Sequence, residues 1–284
     1  MKKLISMLVS LAICCGAIFA FTSCVSDSNT NNDDNVLRVG MECAYAPYNW
    51  TQNTNADGAV PIYGQKDAYA NGYDVKIAQR IADALGKTLE VHKYEWESLI
   101  PAVKTGALDL IIAGMSPTDE RKEEIDFTSP YYESNIVIVV RKDGAYADAD
   151  AIADFAGATL VAQAATFHDT LIDQIAGATH ATPMDTFPLM VTALNAGTVD
   201  GYIAEEPGAI SDCNLNSAFT YIHLTNNNNG FTITDMSNVT LAVGIKQGSA
   251  LTSQINSVLE GITVAERLSL METAISQAAV LAID

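Results

Sequence analysis

The sequence predicts an α/β fold made of two similar halves, each with a mainly parallel sheet flanked by helices. Short apolar strand patterns alternate with helical patterns from Val36 onward, and this succession builds parallel sheets covered by helices. The succession begins again near Thr159, so two domains of ordinary size fit the chain better than one sheet. Hydrophobic residues make up 49% of the 284 residues, which is enough to form a core.

The first half contains one clearly amphipathic helix and several short apolar strands. Asp74 is expected to cap a helix over 75–85, and Gly86 is expected to end it. Residues 51–71 are polar and rich in turn formers, which predicts a loop. The other predicted elements of this half are strands over 36–40, 89–94, 108–113 and 136–140 and a helix over 98–105.

The second half repeats the alternation with different residues. No sequence repeat accompanies it, so the internal similarity is one of topology. The run 226–230 (NNNNG) is predicted to be a loop. The predicted strands are 159–162, 199–204, 219–224 and 239–245, and the predicted helices are 166–175, 186–196 and 250–261, followed by a helical tail.

The N-terminal region is predicted to lie outside the fold. Lys2 and Lys3 precede an uncharged run that ends before Cys24, which favours a cleaved export signal over a membrane span of near-minimal length. The Asn/Asp/Ser-rich residues 25–35 are expected to form a flexible tether. The arrangement resembles a bacterial lipoprotein signal over residues 1–24, which implies lipidation of Cys24, although Phe21 stands where Leu is usual.

The charge balance excludes several classes of partner. The chain has 34 acidic and 15 basic residues, a formal charge of −19, so nothing in it could neutralise a nucleic-acid backbone. The histidines are scattered and no His/Cys cluster has metal-ligand spacing, so we expect neither a metal nor a cofactor. Cys43 and Cys213 could form a disulfide in an exported protein, but two unpaired thiols are favoured.

The segment after the strand 108–113 has the character of an anion site. Ser116 is a candidate N-cap, Pro117 suits the first helical position, and Asp119 would complete a capping box. Arg121 lies one turn into this helix, where its planar fork matches a carboxylate. An ordinary capped helix with Arg121 in a surface ion pair explains the same spacing equally well.

Acidic and aromatic residues follow other predicted strands. Glu205 comes directly after the strand 199–204 and could receive an ammonium group, although a solvated acidic turn has the same pattern. Tyr45 and Trp96 also follow strands and could sandwich a side chain, or pack at the rim or in the core. Together with Arg121, these residues suit a free α-amino acid.

Long blocks of the chain resemble the extracellular solute-binding proteins of polar amino-acid ABC importers (solute-binding protein family 3). The blocks are GYDV at 72–75, WESLIPA at 96–102 and GALDLIIAGMSPTDERKEEIDFTSPYY at 106–132, and the resemblance covers the chain from Val36. It implies a two-lobed periplasmic-binding-protein-like fold (type II) with two hinge crossovers. By this resemblance, lobe one spans 36–139 and 225–284, lobe two spans 140–224, and the hinges fall near 138–141 and 222–225.

The resemblance also assigns candidate ligand-binding residues. Arg121 would grip the α-carboxylate, assisted by Ser116 and the backbone at Gly114. Thr166, which opens the first helix of lobe two, would add a backbone donor, and Glu205 would take the α-ammonium.

The remaining assignments concern the ligand side chain. Tyr45 and Trp96 match the aromatic pair around it, and Glu42 matches an acidic residue that meets it and hints at a basic or amide ligand. Two departures bear on the site. Ala164 replaces a common Gly, which leaves the local backbone geometry open, and the loop 51–71 is longer than the usual turn and could cap the cleft.

The function implied is capture of a free amino acid outside the cytoplasmic membrane and its delivery to an ABC permease, by a monomer anchored through lipid. The protein is therefore not expected to be an enzyme. Two alternatives share the fold: a cyclohexadienyl (prephenate/arogenate) dehydratase with Glu205 as general acid, and the sensor domain of a receptor. No nucleophile–base pair or metal set supports the enzyme, and no second membrane segment or output domain is visible to support the receptor.

Overall fold

The structure is a computed structural model, and it describes residues 35–280. The predicted signal peptide, the lipidation site Cys24 and nearly all of the predicted tether lie outside the described residues. The strands are β1 (Val36–Met41), β2 (Ala44–Tyr45), β3 (Asn49–Gln52), β4 (Val60–Pro61), β5 (Tyr69–Asn71), β6 (Thr88–Lys93), β7 (Leu110–Ile111), β8 (Asp126–Glu133), β9 (Ile136–Arg141), β10 (Thr159–Val161), β11 (Thr179–His180), β12 (Gly201–Glu205), β13 (Phe219–His223) and β14 (Thr240–Ile245). The α-helices are α1 (Tyr73–Ala84), α2 (Leu99–Thr105), α3 (Asp119–Lys122), α4 (Phe167–Leu171), α5 (Phe187–Ala196), α6 (Glu206–Leu215), α7 (Leu251–Glu260) and α8 (Val264–Val280).

Two five-stranded sheets of the same topology form the framework. The first sheet has the order β6-β1-β7-β14-β8, and the second has the order β11-β10-β12-β9-β13. In each sheet four strands run in one direction, and only the fourth in spatial order, β14 or β9, runs against them. The sequence-based prediction of two mainly parallel α/β halves is therefore confirmed.

The opposed strand of each sheet is the one that arrives from the other sheet. Strand β9 follows β8 of the first sheet, and β14 returns to the first sheet after β13 of the second. The first crossover therefore lies at residues 134–135, a few residues before the predicted hinge at 138–141, because β9 pairs along its whole length with β12 and β13. The exact lobe boundaries stay a prediction.

The second crossover also differs from the predicted hinge at 222–225. Leu224, Phe231, Ile233 and Val239 are buried in one hydrophobic cluster with strand β9 of the second sheet. The chain thus remains against the second sheet until close to β14, some residues later than predicted. The sequence did not predict this packing, because the apolar residues that make it are isolated around a polar NNNNG run and follow no periodic pattern.

Strand β9 is an almost uninterrupted apolar run because both of its faces are buried. Val137 and Val139 belong to the cluster shared with the first sheet, while Ile136, Ile138 and Val140 belong to the cluster on the opposite face. Side chains alternate between the faces of a strand, and both faces are covered here, so every position is apolar.

The long polar segment after β1 is not a plain loop. Strands β2, β3, β5 and β4 form a small antiparallel sheet in that order. Ile62 bridges to Val91 at the outer strand of the first sheet, and Tyr63 stacks on His92 with ring centroids 4.5 Å apart. The segment therefore covers an exposed sheet edge. Its residues do not line the cavity described below.

Helix α1 begins earlier than predicted and without Asp74 as its cap. Gly72 holds the N-cap position at φ 128°, ψ 179°, and Asp74 lies in the first turn. The Asp74 carboxylate is instead fully buried and accepts hydrogen bonds from Asn49 and Tyr131. The sequence also failed to predict strand β8 and helix α6, whose Pro and Gly residues obscure the pattern.

Two further observations concern the described residues as a whole. Cys43 is buried, Cys213 is partly buried, and both are unpaired, as the spacing suggested. Within residues 35–280, no helix has the length and apolar character needed to cross a membrane.

Candidate functional site

A small cavity of about 20 Å³ lies where the carboxyl ends of strands from both sheets meet. All eight residues predicted to bind a ligand line it. They come from the ends of β1, β6, β7, β10 and β12, because parallel strands deliver the residues that follow them to one edge. The lining residues are Glu42, Tyr45, Trp96, Ala113, Gly114, Ser116, Arg121, Gln163, Thr166, Phe167, His168, Phe187 and Glu205.

Arg121 provides the positive charge of the cavity. Its guanidinium donates to the carbonyl oxygens of Ser116 (2.8 Å) and Ala165 (3.1 Å) and lies 5.0 Å from the ring centroid of Trp96. Burial lowers the pKa of Arg121 to about 10, so the side chain stays cationic at neutral pH. The prediction of a surface ion pair is therefore excluded, since no carboxylate of the described residues lies within ion-pair distance of Arg121.

The helix that carries Arg121 is shorter than predicted and starts later. Thr118, not Ser116, is the N-cap, and its side chain accepts from the backbone N–H of Arg121. Helix α3 has only four residues, so its dipole adds little to an anion site. Ser116 therefore does not cap the helix, and it is a buried residue of the cavity wall.

Gly114 is held from behind by a buried polar network. Its N–H donates to the hydroxyl of Tyr131 at 3.1 Å, and that hydroxyl donates to Asp74 at 2.9 Å. Burial raises the pKa of Asp74 to about 7, against the opposing effect of its hydrogen bonds. Because the Gly114 N–H is used inside the protein, this residue contributes close backbone approach to the cavity rather than a free donor.

Glu205 provides the negative charge on the facing wall. It is the last residue of β12, and its carboxylate is nearly inaccessible. The Tyr45 hydroxyl donates to Oε2 of this carboxylate across the cleft, and the Tyr45 ring stacks on Phe187 with centroids 3.9 Å apart. Tyr45 therefore has one ring face already covered by protein and is not free on both faces to sandwich a side chain.

A second acidic group lies at the end of β1. Glu42 is buried, and its Oε1 accepts from Nε2 of Gln163 at 2.9 Å across the cleft. Burial raises the pKa of Glu42 to about 7, with the Gln163 hydrogen bond acting in the opposite direction. A cationic group next to this buried carboxylate would stabilise its ionised form.

The loop before α4 turns a carbonyl group toward the first sheet. Ala165 has φ +56°, in the left-handed region, whereas Ala164, the residue flagged in the sequence, does not. The Ala165 carbonyl accepts from Arg121 and, at 3.3 Å, from the indole N–H of Trp96. Thr166 follows as the N-cap of α4, and its hydroxyl donates to the Gln163 carbonyl at 2.7 Å.

Sequence reasoning missed Gln163, Phe167, His168 and Phe187 as cavity residues. Gln163 and Phe167 flank the recognised Thr166, and their proximity in sequence was the available signal. Phe187 begins a helix that was predicted, but its contact with Tyr45 depends on the packing of one sheet against the other. His168 is one of four histidines scattered along the chain, and nothing in their spacing indicates a binding role.

The sequence profile of the bacterial extracellular solute-binding proteins, family 3, matches residues 37–273. The chain belongs to this family. The match covers both sheets and every residue that lines the cavity.

Solved structures of this family share the fold over nearly the whole described chain. An amino acid ABC transporter substrate-binding protein from Streptococcus pneumoniae, solved bound to L-arginine, is similar with a TM-score of 0.73 and 27% identity. The match covers 86% of the present chain and 95% of the chain of the S. pneumoniae protein. The two-lobed architecture is thus established for this protein.

Curated relatives match over shorter stretches. The arginine-binding extracellular protein ArtP of Bacillus subtilis (strain 168) is 33% identical over 144 residues, which is 50% of this chain and 49% of that protein. A probable histidine-binding protein of Campylobacter jejuni is 27% identical over 188 residues, 65% of this chain and 66% of that protein. The chain thus spans about half to two thirds of the length of these relatives.

Proposed function

We propose that this protein captures a free amino acid outside the cytoplasmic membrane by closure of its two lobes and delivers it to the permease of an ABC importer. The observation that carries the proposal is the polarity of the cavity. Arg121 reaches it from the first sheet and is half-buried, and Glu205 reaches it from the second and is buried. A zwitterion placed between them neutralises two charges that would otherwise be desolvated without full compensation.

In this proposal Arg121 binds the α-carboxylate and Glu205 binds the α-ammonium. Ser116, Gly114 and Thr166 line the cavity beside the carboxylate, and Trp96 covers Arg121 by a cation–π contact. The ligand carboxylate would replace the Ala165 carbonyl as acceptor for the guanidinium, because a charged acceptor forms the stronger hydrogen bond. Contacts to both lobes give the ligand a higher affinity for the closed form and shift the population toward it.

We infer that the ligand has a cationic side chain, with arginine as the first candidate. Glu42 lies buried in the same cavity, where its carboxylate accepts from Gln163 and forms no ion pair with any residue of 35–280. Relatives whose names specify arginine or histidine support the same choice.

Mass spectrometry of the small molecules released from the purified, denatured protein identifies the ligand. Thermal-shift measurements with each of the twenty amino acids then test which of them stabilise the protein. We expect release of a basic amino acid and the largest shift with L-arginine. No shift with any amino acid would refute the proposal. Formation of an aromatic product from prephenate or arogenate would instead favour the dehydratase, although the named relatives are binding proteins.

We also propose that the protein is exported and held on the outer face of the membrane by lipid at Cys24, as a monomer. The family is extracellular, and the Lys2–Lys3 leader and small residues before Cys24 support a lipoprotein signal. Cys24→Ser should move the protein from the membrane fraction to the soluble fraction or leave its leader uncleaved. A Cys24→Ser variant that has lost its leader and still stays in the membrane fraction would rule out the anchor, and light scattering of the purified protein tests the monomer.

A further inference from the structure

Two polar atoms face each other in the cavity without a hydrogen bond between them. His168 Nε2 lies 3.4 Å from Glu205 Oε1, and the two side chains are only 8% and 5% exposed. The distance is that of an ion pair, but the orientation does not make a hydrogen bond, and Nε2 has no other partner among residues 35–280. Buried polar atoms are rarely left unpaired, because each has lost its hydrogen bonds to water without a replacement.

The other oxygen of Glu205 is already used. The Tyr45 hydroxyl donates to Oε2, so Oε1 is the oxygen of this carboxylate that remains for a ligand. His168 is the second residue of helix α4, whose N-cap is Thr166, and its ring lies next to the same oxygen. A ligand nitrogen about 2.9 Å from each atom would donate to both Oε1 and Nε2.

We propose that His168 is a ligand-contacting residue: its Nε2 and Glu205 Oε1 together receive the α-ammonium group of the bound amino acid. Neutral imidazole with its proton on Nδ1 presents Nε2 as an acceptor. The ammonium group then satisfies both buried atoms at once, whereas a ligand without an α-amino group leaves both unpaired. This inference rests on the proposed function and adds a residue to its ammonium subsite.

The site therefore discriminates primary amines through two residues of the same lobe. Glu205 supplies a carboxylate oxygen, and His168 supplies a directional ring nitrogen. Phe167 and Phe187, which line the cavity beside them, exclude water and so make the missing hydrogen bonds costly for ligands that lack the amine.

The test uses L-arginine and its des-amino analogue, 5-guanidinopentanoic acid, as calorimetric probes on the wild type, His168→Phe and His168→Gln. His168→Phe keeps the volume and removes the acceptor, so we expect arginine affinity to fall about tenfold or more while affinity for the analogue is unchanged. His168→Gln retains an acceptor and should recover most of the arginine affinity. His92→Gln, in the first sheet and outside the cavity, is the matched control and should behave as the wild type.

Equal loss of both probes in His168→Phe would overturn the inference, because it would show general damage to the cavity rather than loss of an ammonium contact. Unchanged arginine affinity in that variant would overturn it too. Both results presuppose that the wild type binds arginine. Absence of wild-type binding to arginine and to every other amino acid is the separate result that refutes the proposed function.

Discussion

Half-buried Arg121 and buried Glu205 are charged residues that no opposite charge of the protein fully compensates. Arg121 donates to two carbonyl oxygens and contacts an aromatic ring, and Glu205 accepts from a tyrosine hydroxyl while its other oxygen makes no hydrogen bond to the nearby His168. A protein keeps such groups only where another requirement outweighs their desolvation. Recognition of a zwitterion is a requirement that explains both charges together.

Replacement of Arg121 by Ala should weaken binding of L-arginine by roughly 100- to 5000-fold, because the ligand carboxylate would be buried without a partner, at a cost of about 3–5 kcal/mol. Calorimetry measures this loss. Lys122→Ala is the control, since Lys122 is exposed and pairs with Asp119 away from the cavity. Equal affinity of Arg121→Ala and wild type would show that Arg121 does not bind the carboxylate.

The affinity for arginine should rise between pH 6 and pH 8 through Glu42. Burial raises the pKa of Glu42 to about 7, so the carboxyl group is largely protonated at pH 6 and ionised at pH 8. A cationic side chain binds the ionised form, so affinity gains up to about tenfold per pH unit below that pKa. Glu42→Gln should lose this dependence, as should a ligand with an uncharged side chain. A pH profile that persists in Glu42→Gln would assign the titration to another group.

At the scale of single elements, the start of helix α1 depends on a glycine. Gly72 has φ 128°, and a Cβ there would collide with the carbonyl oxygen of Tyr48. The N–H groups of Tyr73 and Asp74 donate to the carbonyls of Pro47 and Tyr48, so helix and loop approach backbone to backbone. This contact fixes the helix over the region that carries Tyr45 and Glu42.

Gly72→Ala should therefore lower the free energy of unfolding by more than about 2 kcal/mol, because both the dihedral angle and the space exclude a side chain. Gly86→Ala provides a matched control. Gly86 also has a positive φ, of 66°, but nothing lies within 4 Å of its added Cβ, so only the dihedral cost of about 1 kcal/mol applies. Urea denaturation of both variants measures the difference, and equal losses would mean that the close approach is not what matters.

At the scale of the whole molecule, the two sheets are joined around the cavity by hydrogen bonds and by apolar contacts. Glu42 bonds to Gln163, Trp96 to Ala165, and Tyr45 to Glu205, while Tyr45 also stacks on Phe187 within a hydrophobic cluster that both sheets share. The hydrogen bonds can be exchanged for bonds to a ligand or to water. The arrangement suits a molecule whose lobes separate and close.

Trp96 should report this closure. The chain has two tryptophans; Trp50 is buried in the first lobe, and Trp96 lies in the cavity wall beside Arg121. We expect L-arginine to change the tryptophan emission of the wild type and of Trp50→Phe but not of Trp96→Phe. A ligand-induced change that survives in Trp96→Phe would place the structural change elsewhere in the protein.

The sequence by itself determined the α/β class, the two-halved organisation, most strand positions and eight of the residues that meet in the cavity. Most of these features depend on local periodicity and on the rule that parallel strands bring their carboxyl ends to one edge, whereas Thr166 was assigned only by the family resemblance. The family blocks of residues 72–132 then assigned expected roles to residues such as Arg121, and those roles stay predictions until they are measured.

Only the tertiary structure decided where the chain crosses between the sheets, which oxygen of Glu205 is free, and that His168 faces it. Tyr45 and Glu205 are 160 residues apart in the chain, and His168 reaches Glu205 only because α4 packs beside the end of β12. Contacts of this kind leave no periodic trace in a sequence, because they depend on the packing of elements that are distant in the chain rather than on the conformation of any one of them.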